Sequence, residues 1–285
     1  MKIDRRALKA RAREAMGQTR PPFWAVALLY FLLTTGVQTA LSLTAAVLPG
    51  VSGGIFLNIL FSLYSMVILF GLRLWSLWAW RKLDPGAGSL IQGFSIPGRV
   101  VVMELLILLR VFGWTIGLAI LLSPFLMVLT ASPILYWVSL GAVSVLLMVI
   151  TLRYSMAPYL LADRPDDGAS LAIRRSVEMM HRRVWELFKL QLSFLGWEAV
   201  NWALSTGVFL LLCAQSGLFQ APAGIESLLL YQSVSGSLAN VALSGLVTLP
   251  LSLWLRPYQE VAQAGFYEEL RQAGPAPGAP EMPPL

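Results

Sequence analysis

An all-α polytopic bundle of about six membrane-spanning helices is the fold this sequence predicts, and three observations carry the prediction. Of 285 residues, 57% are hydrophobic and only 13% are charged, with a mean hydropathy of +0.69. A soluble domain of this length does not stay dispersed at that balance. The apolar residues gather in runs of roughly 20, the length at which a helix crosses a hydrocarbon core about 30 Å thick. Between the runs stand short segments rich in Pro, Gly and charge, where helices stop.

The elements follow in order. A basic segment over residues 1–20 is expected as an N-terminal helix with Lys2, Arg6, Lys9 and Arg13 on one face and little beyond Leu8, Ala12 and Ala15 on the other. Spans are expected at Phe23–Leu48, Ile55–Trp78, Val100–Leu122, Ile134–Leu152, Leu190–Cys213 and Leu238–Leu255. They are separated by LPGVSGG, LDPGAGS, SPFLMVLTASP, DRPDDG and QSGLFQAPAG. Residues 165–186 read as an amphipathic helix capped by Asp166 or Asp167, with Ile173, Val177, Met180 and Val184 on one face and Arg175, Glu178 and Arg182 opposite. Residues 1–271 form one integral membrane domain, and the Pro-rich stretch over 272–285 is expected to be disordered.

Charge sets the expected threading, because Lys and Arg in short loops are retained on the cytoplasmic side. Arg5, Arg6, Lys9, Arg11, Arg13 and Arg20 precede the first span, while the first, third and fifth connections carry no Lys or Arg. Both termini are therefore expected in the cytoplasm. The first run exceeds the core of about 7–15 residues of a secretory signal, so a retained span is expected. Arg153, Tyr154 and Tyr159 beside Pro158, and Arg256 and Tyr258 beside Pro257, read as aromatic and cationic residues at a membrane interface.

Those two similar rims suggest three parallel units, 1–82, 83–164 and 165–271, each ending in an in-out-in hairpin. RVVVMELLILLRVFGW (Arg99–Trp114) and RVWELFKLQLSFLGW (Arg183–Trp197) share Arg, then Glu-Leu, then Gly-Trp.

The stretches YSMAPYLLAD (Tyr154–Asp163), SFLGW (Ser193–Trp197) and FYEEL (Phe266–Leu270), with the opening RRALKARAREAM, resemble an uncharacterised family of bacterial multipass membrane proteins known only as a domain of unknown function. That family is distantly similar to the membrane domains attached to some bacterial glycerophosphodiester phosphodiesterases; the phosphodiesterase domain itself is not present here. The resemblance implies a helical protein of the bacterial cytoplasmic (inner) membrane and brings no activity and no catalytic residues. The Pro-rich tail and GFSIPG (Gly93–Gly98) depart from its pattern.

Little in the sequence points to chemistry. One cysteine, Cys213, and one histidine, His181, exclude a Cys/His metal cluster and an internal disulfide framework, and no cofactor is expected. Phosphate-binding, esterase-elbow and zinc-protease motifs are not found. The acidic residues of DRPDDGASLAIRR do not match the Asp-x-x-Asp-Gly-x-x-Ala-Arg spacing of lipid-headgroup transferases. The formal charge of +6 lies in clusters between apolar runs. Anionic lipid, not nucleic acid, is the expected partner. Lys2, Arg6, Lys9, Arg13, Arg175 and Arg182 are the candidate headgroup contacts, at about 1 kcal/mol for each basic residue near the surface. A plain topology anchor explains the same charges.

The sharpest polar feature lies inside the apolar runs. Counting about 1.5 Å per residue, Arg110 sits about 15 Å beyond Val100 and Glu198 about 14 Å beyond Lys189. A lone charge at bilayer centre costs at least about 2.5–3.5 kcal/mol, so matched depths predict an Arg110–Glu198 ion pair, with Asn201 as a further partner. The favoured functional reading is a non-enzymatic membrane scaffold or accessory subunit, with a protein partner or a homo-oligomer. The alternative is a small transporter or lipid-handling protein built on Arg110 and Glu198. Polar residues lining one continuous path favour that alternative; a dry, apolar interior favours the scaffold.

Overall fold

Asp4 starts the first helix by accepting from the backbone N–H groups of Arg6 and Ala7 at 2.9 and 3.4 Å, so α1 runs Arg5–Gly17. The structure is a computed structural model and describes residues 4–41, 51–83, 85–125, 132–220 and 224–273. After α1 come α2 (Phe23–Phe31), which passes into a π-helical turn at Leu32–Gly36, and α3 (Val51–Trp80). They are followed by the single turn α4 (Ser89–Gln92), α5 (Pro97–Leu122), α6 (Pro133–Leu152) and α7 (Ala157–Asp163). The chain continues with α8 (Ala169–Met179), α9 (Val184–Leu192), α10 (Leu195–Gln215), α11 (Ile225–Ser235) and α12 (Leu238–Gln272). No strand occurs among the described residues.

Six helical segments are long and apolar enough to cross a membrane: Phe23–Leu41, Phe56–Trp80, Pro97–Leu122, Ile134–Asp163, Leu195–Gln215 and Ala239–Gln272. These match the six expected runs. The last part of the expected first span, from Ser42, and the C-terminal stretch from Gly274 lie outside the described residues.

Burial divides the molecule into two zones. Nearly every buried side chain sits at the end where the basic residues cluster, in a core of Leu8, Trp75, Leu77, Tyr159, Phe266, Tyr267 and their neighbours. Towards the other end α5, α6, α10 and α11 expose large apolar side chains around much of their circumference, among them Leu109, Ile120, Ile134, Trp137, Trp202, Leu211 and Ile225. Water would penalise such a surface and hydrocarbon would not. At the centre α12 packs against α1, α2, α3 and α10.

Close packing at the basic end uses glycine where no Cβ fits. A Cβ on Gly71 of α3 would stand 2.1 Å from the Leu90 carbonyl oxygen of α4, and one on Gly265 of α12 would stand 2.6 Å from the Trp80 ring. Both contacts lie far below van der Waals distance, so these helices approach as closely as they do only because the side chain is absent.

Several boundaries differ from the sequence expectation. The fifth span begins at Leu195, because the chain breaks at Ser193 and Phe194 between α9 and α10. Lys9 of α1 donates from Nζ to the Ser193 carbonyl at 3.3 Å and to its Oγ at 3.1 Å, holding that break from 184 residues away. The helix expected over 165–186 covers only Ala169–Met179, and Gly168, at φ 77°, precedes it without a side-chain cap. Asp166 and Asp167 pair instead with Arg99 and Arg175. The sixth helix does not end near Leu255: Pro250 and Pro257 lie inside α12, which continues to Gln272.

The matched Arg, Glu-Leu and Gly-Trp pattern falls within one unbroken helix, α5, in the second unit and across the α9–α10 break in the third. Similar wording there does not mean similar local structure.

Candidate functional site

At the basic end the last residues of three long helical segments meet. Arg81, just past α3, donates from Nη1 and Nη2 to the two carboxylate oxygens of Asp163 at the end of α7, at 2.7 and 2.8 Å. Its Nε donates to Glu268 Oε1 of α12 at 2.6 Å. Tyr267 adds a hydroxyl donor to Asp163 at 2.8 Å, and Arg271 Nε donates to Glu268 at 3.2 Å. Burial alone would lower the Arg81 pKa, but its bonds to Asp163 and Glu268 outweigh that and hold it above the usual arginine value. Every strong partner in this cluster is already taken, so it works as a clasp joining the ends of the second, fourth and sixth spans.

A second polar region is open. Between α2, α10 and α12 lies a cavity of about 320 Å³ whose polar lining comprises Tyr30, Thr34, Thr35, Glu198, Asn201, Ser252, Arg256 and Gln259. That is within the size range of small-ligand pockets. Next to it is a cavity of about 350 Å³ between the first and second spans, which shares Tyr30, Thr34 and Thr35 and is otherwise lined largely by apolar groups, including Phe61, Met66 and Leu69. Both are bordered by the π-helical turn Leu32–Gly36. Such turns widen a helix locally and are frequent at functional sites. Here Thr34 returns its hydroxyl proton to the Tyr30 carbonyl at 2.8 Å.

The polar cavity sits near the start of α10. Glu198 lies in the first turn of that helix, about 5 Å along the axis from Leu195. Trp197 and Trp254 meet edge to face beside it with ring centroids 5.5 Å apart, and Trp254 also meets Tyr258 at 5.1 Å. Indole and phenol rings favour the boundary between headgroups and acyl chains. Gln259 donates from Nε2 to Glu198 Oε1 at 2.7 Å, and Asn201 Nδ2 reaches Ser252 Oγ at 3.5 Å. Arg256 pairs with Glu260 one turn on, at 3.3 Å.

The expected Arg110–Glu198 ion pair is not formed. The Arg110 guanidinium stands 6.0 Å from the centre of the Tyr154 ring, whereas Glu198 bonds Gln259. Two causes act together. The break at Ser193 makes Glu198 shallower than a continuous helix from Leu190 would, and α5 packs on α3, α6 and α8 while α10 packs on α11 and α12. The Glu104 carboxylate, also on α5, pairs with Arg73 at 2.7 Å.

The six candidate lipid contacts divide similarly. Lys2 lies outside the described residues. Lys9 is half-buried over the Phe194 ring at 4.4 Å, and burial, then the charge of Arg13, holds its pKa below the usual lysine value. Arg175 is engaged by Asp167. Arg6, Arg13 and Arg182 remain exposed. The apolar faces of α1 and α8 are covered by protein, not by a membrane surface: Leu8 and Ala12 pack in the core that includes Tyr258, and Ala172 and Ile173 pack in the cluster with Val100 and Met103.

Tyr154 and Tyr159, expected at the interface, and the Phe266–Leu270 stretch build the core and the clasp. Tyr159 is fully buried and stacks on Tyr267 at 5.4 Å. Over residues 1–274 the sequence matches the family described as "Protein of unknown function (DUF975)". The chain belongs to DUF975. Comparison with curated proteins and with solved structures gives no match. As DUF975 carries no assigned activity, the site of this DUF975 protein has to be interpreted from its own residues.

Sequence reasoning missed Arg256 and Gln259 as cavity residues because Pro257 was taken as a helix end. Their spacing from Ser252, at i+4 and i+7, would have placed all three on one face had the helix been carried through the proline.

Proposed function

We propose that this DUF975 protein is a non-enzymatic lipid-handling protein of the bacterial cytoplasmic membrane, which draws an amphiphile from the leaflet at its basic end into the cavity between α2, α10 and α12. One observation carries the reading. Glu198 and Arg256, both exposed, line the open side of a cavity at the level of the Trp197–Trp254 pair. Charged groups facing hydrocarbon are costly, and a polar headgroup seated between them would remove that cost. The adjoining cavity supplies the apolar half: along the first span, Gln38 lies about 12 Å beyond Tyr30, with Phe61, Met66 and Leu69 opposite. A cavity with charged and polar groups beside a more apolar one, the two sharing Tyr30, Thr34 and Thr35, suits a lipid better than an ion.

The distribution of Lys and Arg supports a threading with both termini in the cytoplasm, which puts the site in the inner leaflet. Exposed Arg6, Arg13 and Arg182 would then attract anionic headgroups to the rim around it. The resemblance to membrane domains attached to glycerophosphodiester phosphodiesterases points in the same direction. A scaffold or accessory subunit would present a docking surface, and the basic and amphipathic helices α1 and α8 turn their apolar faces inward.

Filling the cavity tests the reading. In native mass spectrometry after gentle solubilisation, the wild-type chain is expected to retain lipid, and Ser252→Trp, which inserts an indole into the polar chamber, is expected to lose it without a change in melting temperature. Equal lipid retention by the two proteins would refute the assignment.

A further inference from the structure

We infer that the polar cavity selects a headgroup bearing a primary ammonium, the headgroup of an aminophospholipid. The inference rests on the lipid-handling reading and specifies its ligand. Glu198 uses Oε1 to accept from Gln259, and Oε2 has no protein partner among the described residues. Asn201 spends an amide N–H on Ser252, while its Oδ1 is buried with no partner among the described residues. The two residues are three apart on α10, so their side chains project from one face into the same chamber. A buried acceptor left unmet is costly, and its usual explanation is a group that is bound in function.

Two of the chamber's donor side chains are already engaged. Gln259 serves Glu198, and the cation of Arg256 is offset by Glu260. Glu198 and Arg256 are the charged residues of the lining; with Arg256 offset by Glu260, the Glu198 carboxylate is left uncompensated, and the lining presents two open acceptors. An ammonium carries one positive charge and three N–H donors, which satisfies both acceptors and leaves a donor for a third oxygen. Bare metal ions fit less well: calcium takes 6–8 oxygen ligands and magnesium a near-ideal octahedron. A trimethylated ammonium has the charge but no N–H to give. The Trp197–Trp254 level and the apolar chamber beyond favour a lipid amine over a free one.

The test uses the full chain in vesicles made of equal parts phosphatidylglycerol and either phosphatidylethanolamine or phosphatidylcholine, with bound lipid counted by native mass spectrometry. The expected result is retention of phosphatidylethanolamine over phosphatidylcholine by roughly tenfold, equivalent to ~1.4 kcal/mol. Glu198→Gln and Asn201→Leu are each expected to lose the preference while still retaining lipid. Retention without preference in the wild-type chain would overturn the ammonium inference and leave lipid handling standing. No retained lipid of either kind would sink both. Displacement of phosphatidylethanolamine by free ethanolamine at a similar concentration would show that the amine alone is recognised and overturn the lipid as its source.

Discussion

Arg81 and Asp163 form a two-bond ion pair, at 2.7 and 2.8 Å, between the end of the second long helix and the end of the fourth. The paired geometry matches the fork of a guanidinium to the two oxygens of a carboxylate. Glu268, 5% exposed in its side chain, completes the arrangement from the sixth. The basic end is therefore a fixed head from which the lipid-facing helices extend.

Removing Arg81 would leave Asp163 and Glu268 without their main counter-charge in a largely buried setting. Arg81→Ala is expected to cost ~3–5 kcal/mol of stability, as for other buried pairs broken on one side. Arg81→Lys should fall between, because an ammonium cannot bridge both carboxylates in the same plane. Thermal unfolding in detergent measures both; an Arg81→Ala melting temperature equal to wild type would contradict the clasp.

Glycine substitutions separate the packed head from the lipid-facing region. Gly71→Ala forces a Cβ against the Leu90 carbonyl and is expected to destabilise the protein, whereas Gly113 in α5 has nothing within 4 Å of an added Cβ. Gly113→Ala is expected to be neutral, or stabilising by up to about 1 kcal/mol through helix propensity. The same melting experiment compares them, and equal effects would mean that the α3–α4 approach is looser than described.

Arg110 and Glu198 have different partners and should behave independently. In a double-mutant cycle with Arg110→Ala and Glu198→Ala the stability effects are expected to add within ~0.3–0.5 kcal/mol. Exchanging the two residues should bring no rescue. Glu198 and Gln259, by contrast, should couple. A strong Arg110–Glu198 coupling would favour a different arrangement of the third and fifth spans.

The N-terminal helix separates packing from charge. Leu8 is 1% exposed, so Leu8→Ala is expected to cost ~2–5 kcal/mol. Arg6→Gln and Arg13→Gln alter exposed residues and should leave the melting temperature unchanged. Co-purified anionic lipid should fall, at about 1 kcal/mol for each charge. Unfolding caused by the arginine substitutions would show that these side chains are structural.

The six spans were legible because a helix in hydrocarbon must be both long and apolar, and both properties are local. Azimuth is not local. Arg110 and Glu198 were matched by depth, but depth along two helices says nothing about which faces meet. The break before Leu195 was hidden for a related reason, since the Lys9 side chain that holds Ser193 comes from the other end of the sequence. Pro257 was overweighted at the close of the sixth span, although α12 passes through it to Gln272. Tyr159 looked interfacial because aromatic residues beside charges usually are, yet it is fully buried and stacks on Tyr267 of the clasp. A visible cue was the charge at the three unit ends: Arg81, Asp163 and Glu268 are complementary and each lies near a unit's last residue.

The central claim is that a lipid occupies the chamber between α2, α10 and α12. Photo-cross-linking with a bifunctional phosphatidylethanolamine, followed by mapping of the modified peptides, tests it most directly. The account predicts adducts concentrated at Tyr30–Thr35, Glu198–Asn201 and Ser252–Gln259, and their loss in Ser252→Trp. Adducts spread over the lipid-facing helices α5 and α6, with none in those three segments, would contradict it.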